Sequence, residues 1–394
     1  VLHDFAEPLV TPPLGTGPYR ITDYKMGQYV VLSRIKDYWA ADLPVNRGRY
    51  NFDVIRYDYY RDSSVAFEAF KAGEYDFREE NSASNWATGY AGKAFENGRI
   101  VREEVSHSIA AGVQALAFNI ERPLFADLRV RRAISHFFDF EWMNKNLFYG
   151  QYHRTKSYFQ NTEYAAEGPP TAEELAVLEK LRGKVPDEVF TAAYSPPQTD
   201  GSGLIRPQAR AALALLAEAG WNLKGGKLLN SAGEQFSFEL LLYDTQTERF
   251  AIPFRANLAR YGIDMRLRLV DTSQFINRLR SRDFDMTSHG SPAMQYPSSD
   301  LKILWHSDYI ESTWNTSGVR DEAVDYLCEQ IAAAQEDGPR LLTLGRALDR
   351  VLTWNVYGIM EWHLPKFRLA YANKFAKPAV RPRYAIGIDT WWVK

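Results

Sequence analysis

Four short segments of this chain carry side chains able to hold a small molecule, and none carries the makings of a reaction. The first is Glu80–Trp86, where amides and hydroxyls can donate and accept hydrogen bonds and Trp86 can supply an apolar wall; Glu80, Asn81 and Trp86 are its candidates. The second follows an apolar FDMTSH run and offers His289, Gly290, Ser291, Met294 and Gln295. The third is Trp314-Asn315, ahead of Thr316-Ser317-Gly318, and the fourth is Trp362-His363. Each has a plainer use as well. Ser82, Ser84, Ser317 or Asp321 can cap a helix, Trp86 can fill a core, and a strand histidine such as His363 is commonly a satisfied interior group.

Reactive constellations are missing from the sequence. The seven histidines (His3, His107, His136, His153, His289, His306 and His363) include no H-x-x-x-H or H-E-x-x-H pair that would put two imidazoles on one helix face for zinc. Gly15-Thr16-Gly17 runs into Pro18 and a strand, whereas a phosphate cradle opens a helix and carries Lys and Ser/Thr. No G-x-S-x-G elbow occurs. The 49 acidic residues make chance pairs inevitable, and none has an acid/base setting. These residues predict a binding protein with no catalytic site, metal or cofactor.

The 394 residues allow two or three cores, since single cores seldom grow past roughly 250–300 residues. Aromatic content is high at 14%, with 10 Trp and 23 Tyr to share between cores and a ligand wall. A net charge of −2 and a pI near 6.5 leave no basic stripe to displace counterions from nucleic acid. No apolar run reaches the roughly 18–20 residues of a membrane span. The single Cys328 forms no disulfide within the chain and lies in a helical stripe, where a cysteine serves as a small core residue. No signal-peptide pattern is present, and an opening at Val1 reads as a processed or truncated product.

The elements that must position these segments follow from periodicity. Residues 15–78 read as two strands joined at Lys25-Met26-Gly27, a third strand FDVIRYDYY, then a helix capped by Ser63 or Ser64 and ended by Gly73, then a fourth strand. Ala117–Gly150 begins as a strand, turns at Arg122-Pro123 and becomes a helix opened by Asp127, with Val130, Ala133, Ile134, Phe137 and Phe138 on its buried face. Residues 151–204 are punctuated by Pro169-Pro170, Ser195-Pro196-Pro197 and Gly201-Ser202-Gly203 around a helix from Ala172 to Leu181. They predict an extended surface excursion, anchored by Tyr158, Phe159, Tyr164 and Phe190. Then come a helix ending at Gly220, a strand 236–243, a helix 250–261, a strand 263–270, a helix capped by Thr272 and the FDMTSH strand. That alternation predicts an α/β sheet with parallel neighbours and right-handed crossovers. Helices near 319–335 and 339–353 lead into a strand 357–363.

Several ordered motifs resemble the large extracytoplasmic solute-binding proteins of peptide and nickel importers, solute-binding family 5. Phe118-Asn119 with Asp127-x-Arg129-Val130-Arg131-x-Ala133-Ile134 is similar to that family's inter-lobe crossover. Gly15–Tyr19, Arg34–Trp39 (with one extra residue in the spacing), Phe70–Phe77 and Asn315-x-Ser317-Gly318 match further family elements in order. Glu80-Asn81-Ser82-Ala83-x-Asn85-Trp86-Ala87-Thr88 is close to the Yej-type branch, associated with oligopeptides and peptide–nucleotide antibiotics of the microcin C kind.

The resemblance implies a type II periplasmic-binding-protein fold with a ligand cleft between two lobes. The lobes would be residues 1–116 and 117–362, with 363–394 returning to the first and crossovers near 116–120 and 360–366. Phe118 and Asn119 would lie beside the cleft, and a ligand would favour closure by touching both lobes. It also implies a periplasmic location, with delivery to an ABC permease and its ATPase subunits. The matching material lies well inside family polypeptides, so an N-terminal portion is expected to be absent or to come from a second polypeptide. In peptide-binding members the loop after the FDMTSH strand resembles G-W-x-x-D, whose aspartate pairs with a peptide's amino group. Here Ser291 replaces the Trp and the nearest acid, Asp300, comes six residues late, so that contact does not carry over. Neutral hydrogen bonds, backbone groups and aromatic contacts are expected instead. Peptides are the first choice of cargo. An opine or α-galactoside is the rival, since Trp86, Trp314 and Trp362 could stack on sugar faces, and a peptidase or chaperone-like module is the alternative from another class.

Overall fold

A computed structural model describes residues 11–394, so Val1 and His3 lie outside the described residues. The chain divides into two compact units. One holds the described residues up to His107 together with Lys366–Lys394, and the other is Ser108–Pro365. These changeovers differ from the boundaries at 116/117 and 362/363, because the whole Val113–Phe118 strand pairs into the second unit's sheet.

In the first unit, strands Tyr19–Lys25, Tyr29–Arg34 and Val54–Asp58 form an antiparallel sheet. The first turn closes with Gln28 N–H on the Lys25 carbonyl at 2.9 Å, and Gly27 takes the left-handed conformation the turn requires (φ 68°). Register puts Ile21, Leu32 and Ile55 in one row and Tyr24, Val30 and Tyr57 in the next, on one apolar face. The opposite face is polar and internally bonded, with Tyr29 on Asp23 at 3.1 Å and the Arg56 guanidinium 4.0 Å above the Tyr29 ring. None of the six apolar residues is buried.

Helix Ser63–Ala72 is capped by Asp62, one residue ahead of the expected serines. The Asp62 carboxylate accepts the Ser64 and Val65 amides at 2.8 and 2.9 Å, and these bonds hold its pKa below the usual range. In a second sheet, Phe77–Glu79 and Ile100–Ser106 flank Lys366–Ala372, both antiparallel to it.

The second unit is built on a five-stranded sheet in the order Asp264–Leu269, Ser237–Leu242, Met286–Ser291, Val113–Phe118, Gly358–Met360. The first three are parallel, joined by helices Thr245–Ala259 and Thr272–Arg280, as their alternation predicts. Val113–Phe118 is antiparallel to both of its neighbours. Aspartates again outdo the neighbouring hydroxyls as caps. Asp271, not Thr272, takes the Gln274 amide at 2.9 Å, and Asp244 starts its helix at Thr245 rather than 250 by taking the Thr247 amide at 2.7 Å. That polar first turn shows no apolar periodicity, which hides it in the sequence.

The expected strand 357–363 breaks in two. Gly358–Met360 stays in the large sheet while Trp362–His363 pairs with His153–Arg154. Glu361 makes the switch, donating its amide to the Gln114 carbonyl and accepting from the Thr155 amide.

One core of this unit joins the sheet to the helices through Phe118, Phe125, Phe138, Phe238 and Phe254. Each such ring contributes about 1.5–3 kcal/mol by leaving water. A second core packs Leu327, Leu348 and Leu352 from helices Glu322–Ala333 and Gly338–Trp354 against Phe159, Leu178, Leu181 and Val189 of the excursion. Cys328 lies in this core, where burial pushes its thiol up to about 12 and leaves it unreactive. Two adjacent helix residues pin the excursion. Asp349 accepts the Tyr158 and Ala166 amides, each at 2.8 Å. Arg350 donates to Glu174 at 2.8 Å and to the Gly168 and Glu167 carbonyls.

Candidate functional site

The Met286–Ser291 strand delivers the chain into the loop 292–300, which leads to helix Leu301–Trp305. Together with the 310–318 loop these segments enclose a depression of about 410 Å³, a size suited to a small molecule or a few residues of a peptide. Met294, Gln295, Tyr296, Asp300 and Trp314 line it, with Ile303 and Leu304 adding aliphatic surface. Trp314 is 50% exposed and Tyr296 55%, unusually open for rings of that size. Covering them would remove apolar area from water while the amide of Gln295 and the carboxylate of Asp300 remain to pair with polar groups. Asp300 is the one charged residue in the lining, so the site suits neutral or cationic groups and disfavours anions.

The Trp314 wall is braced from behind. Thr316 Oγ1 donates to the Thr313 carbonyl at 2.7 Å, which leaves His289 Nδ1–H to donate to that oxygen, also at 2.7 Å. Burial lowers the His289 pKa to about 4, so the ring is neutral across the ordinary pH range and the brace is insensitive to pH there. The His289 ring meets Trp314 edge-on at 6.5 Å.

Among the sequence candidates, Met294, Gln295 and Trp314 come together at the depression and His289 stands directly behind it. Gly290 and Ser291 end the strand opposite Gln114 and Val113. Asn315 is buried and closed on Val319, accepting its amide at 2.8 Å and donating to its carbonyl at 3.0 Å. Asn119 is buried too, donating to the Arg282 and Phe284 carbonyls at 3.1 and 2.9 Å, and Phe118 packs on Phe125 in the core. Trp362 is enclosed by Phe148, Phe250 and Phe140. His363 sits with Nδ1 3.2 Å from Thr155 Oγ1.

In the first unit, the Glu80–Trp86 segment takes the plainer role. Glu80 is buried and accepts from the Tyr90 hydroxyl at 2.8 Å, the Ser82 amide at 2.8 Å and Arg78 Nε at 3.0 Å. Trp86 is buried with its indole N–H on Glu104 at 2.6 Å. The Asn81 side chain is exposed while its carbonyl, with that of Glu80, receives the buried Arg368 guanidinium. The polar groups of Glu80 and Trp86 are thus engaged within this unit.

Tyr296 and Thr316 lie within the candidate segments, and Asp300 beyond them, but none is among the ligand contacts the sequence offers. Asp300 was visible as the late acid, and the loop's course returns it to the same depression as Trp314. Among the described residues no group of three or more His, Cys, Asp or Glu is placed to hold a metal ion, and no helix is long and apolar enough to cross a membrane.

Comparison with known proteins gives a consistent result. The profile of bacterial extracellular solute-binding proteins, family 5 Middle, matches residues 2–311. The chain is 55% identical over 391 residues to the uncharacterized protein YejA of Escherichia coli K12, covering 99% of this chain and 65% of that protein. It is 37% identical to a YejA of Agrobacterium fabrum named as a probable peptide-binding protein, covering 99% of this chain and 64% of the relative. The chain thus spans just under two thirds of these relatives' length. Its fold is that of the oligopeptide-binding protein AppA of Bacillus subtilis, solved with a nonapeptide. The TM-score is 0.69 at 19% identity, over 96% of this chain and 66% of AppA.

Proposed function

The chain belongs to family 5 of the bacterial extracellular solute-binding proteins, and we propose that it works as the peptide-capturing component of an ABC importer. The observation that carries this reading is the depression walled by the exposed Trp314 and Tyr296, with Gln295 and Asp300 as polar partners. A peptide offers that surface amide groups for hydrogen bonding and side chains for the aromatic walls, without demanding a fixed sequence. The peptide named for the Agrobacterium relative and the nonapeptide of AppA support the same cargo class. In this role the protein acts outside the cytoplasmic membrane, releases its peptide to a permease and ATPase pair, and leaves the peptide bond intact.

The apolar face of the three-stranded sheet, only partly covered by the described residues, supports one further partner. Ile21, Tyr24, Val30, Leu32, Ile55 and Tyr57 form a surface that a further polypeptide segment would cover, whether supplied in the same longer chain or separately.

Calorimetry with tetraalanine tests the cargo. Micromolar binding is expected, weakened about tenfold or more by Trp314→Ala, because a hot-spot tryptophan commonly contributes more than about 1.4 kcal/mol. Tetraalanine should be recovered uncleaved after long incubation. Tight binding of melibiose with no response to peptides would overturn the reading.

A further inference from the structure

The depression's aromatic wall stands on a loop that one side chain outside the site, Arg282, ties down at three points. This residue occupies the turn between helix Thr272–Arg280 and strand Met286–Ser291, with a left-handed backbone (φ 52°) that few non-glycine residues adopt. Asn119 holds the turn in place by donating to the Arg282 and Phe284 carbonyls. From there the Arg282 guanidinium reaches across to the 310–318 loop and donates to three carbonyls on it. Nη2 bonds the Asn315 carbonyl at 2.8 Å and that of Ile310 as well, and Nη1 bonds the Thr316 carbonyl at 3.2 Å. Glu121 stands 3.5 Å from Nε and balances the charge. The loop then ends at Gly318 (φ 74°), where an added Cβ would come 3.0 Å from Glu121 Cγ and 3.2 Å from Arg282 Nη1, so glycine is what lets the chain pass. The three bonded carbonyls bracket Trp314 on both sides in sequence.

We propose that Arg282 is the positioning residue of the ligand wall, clamping the carbonyls of Ile310, Asn315 and Thr316 so that the Trp314 ring is held ready before the ligand arrives. Arg282 does not line the depression and makes no contact with cargo. Its effect on affinity is the ordering cost it removes from Trp314. A planar guanidinium can serve three acceptors at once, whereas a lysine ammonium on a flexible stem cannot reproduce that fork. The inference rests on the reading that the depression takes the peptide, and its test separates the two.

The full chain is labelled with 5-fluorotryptophan, and the Trp314 signal among the ten tryptophans is identified by its loss in Trp314→Phe. In the ligand-free protein, Arg282→Gln should move and reshape the Trp314 resonance while the other nine stay in place, and the Kd for tetraalanine should rise about tenfold. Arg282→Lys should fall between wild type and Arg282→Gln. Gly318→Ala brings a methyl to 3.2 Å from the same guanidinium and should disturb the same resonance, so the inference stays testable if Arg282→Gln folds poorly. An unchanged Trp314 resonance in both Arg282→Gln and Gly318→Ala, or equal disturbance of all ten signals, would overturn the positioning role. A wild-type Trp314 resonance that ignores saturating tetraalanine would overturn the cargo site instead, with the clamp's effect on the free protein still readable.

Discussion

Arg350→Met is expected to destabilise the second unit by about 3–5 kcal/mol, the range for breaking a buried ion pair from one side. Arg350 is 0% exposed and its partner Glu174 nearly so. Removing the guanidinium leaves the Glu174 carboxylate in the interior with Arg346 3.8 Å away, and it takes a donor from the Glu167 and Gly168 carbonyls, of which Gly168 keeps the Ala193 amide. The methionine fills the volume, so the loss is electrostatic and not a cavity. The excursion 151–204 should loosen first, because Arg350 is one of its few polar ties to that helix, others being Asp349 with the Tyr158 and Ala166 amides, Arg346 with the Glu163 carbonyl and Trp354 with the Ala192 carbonyl. Urea unfolding should show the lowered midpoint, and limited proteolysis should cut within that stretch. An unchanged midpoint and protease pattern would show that the pair holds nothing.

The second large effect is a change in pH dependence. Glu361 is buried, and desolvation pushes its carboxyl up to about 8 despite attraction from Arg154, with Asp244 adding repulsion. Its Oε1 and the Nε and Nη1 of Arg154 lack hydrogen-bond partners. A carboxyl whose folded pKa lies above its unfolded value near 4.5 is favoured in its protonated form. Its contribution is complete below about pH 4.5 and is lost as pH rises toward 8. The histidines held low, with an unfolded value of 6.5, still gain stability up to about pH 7.5, and Asp349, raised to about 6, loses its contribution below about pH 7, so it is the difference between wild type and a Glu361 variant, in which these groups cancel, that reports Glu361. From about pH 6.5 to 8.5 wild-type stability should fall relative to that of Glu361→Gln, which should end the more stable at pH 8.5. The difference should be about 2–4 kcal/mol, below the ceiling set by 1.36 kcal/mol per pKa unit because the site relaxes when it ionises. Parallel curves for the two proteins would dismiss Glu361 as the source.

What the sequence made legible was local. The helix opened by Asp127 and the alternation across 236–291 follow from caps and periodicity, and both stand in the structure. What it concealed depends on distant partners. The chain from 357 to 363 reads as one strand, yet Gln114 and Thr155, remote in sequence, divide it at Glu361. The site candidates show the same divide. Tryptophans 86, 314 and 362 are equivalent as residue types, and only packing separates the two that fill cores from Trp314, which faces the depression. Arg282 gave no signal at all, since its value lies in three carbonyls some thirty residues downstream.

The placement of Val113–Phe118 between two late-arriving strands also governs the order in which the protein can assemble. Its partners Met286–Ser291 and Gly358–Met360 emerge about 170 and 240 residues later, which at ordinary synthesis rates is a wait of about 10–50 s for the second edge. The first unit waits as well, because Lys366–Ala372 is the strand that joins Phe77–Glu79 to Ile100–Ser106. The fifteen residues from Gly358 to Ala372 thus insert a strand into each unit. A nascent chain halted before them would carry two unfinished sheets with bare strand edges, open to pairing with another chain until the last strands are delivered.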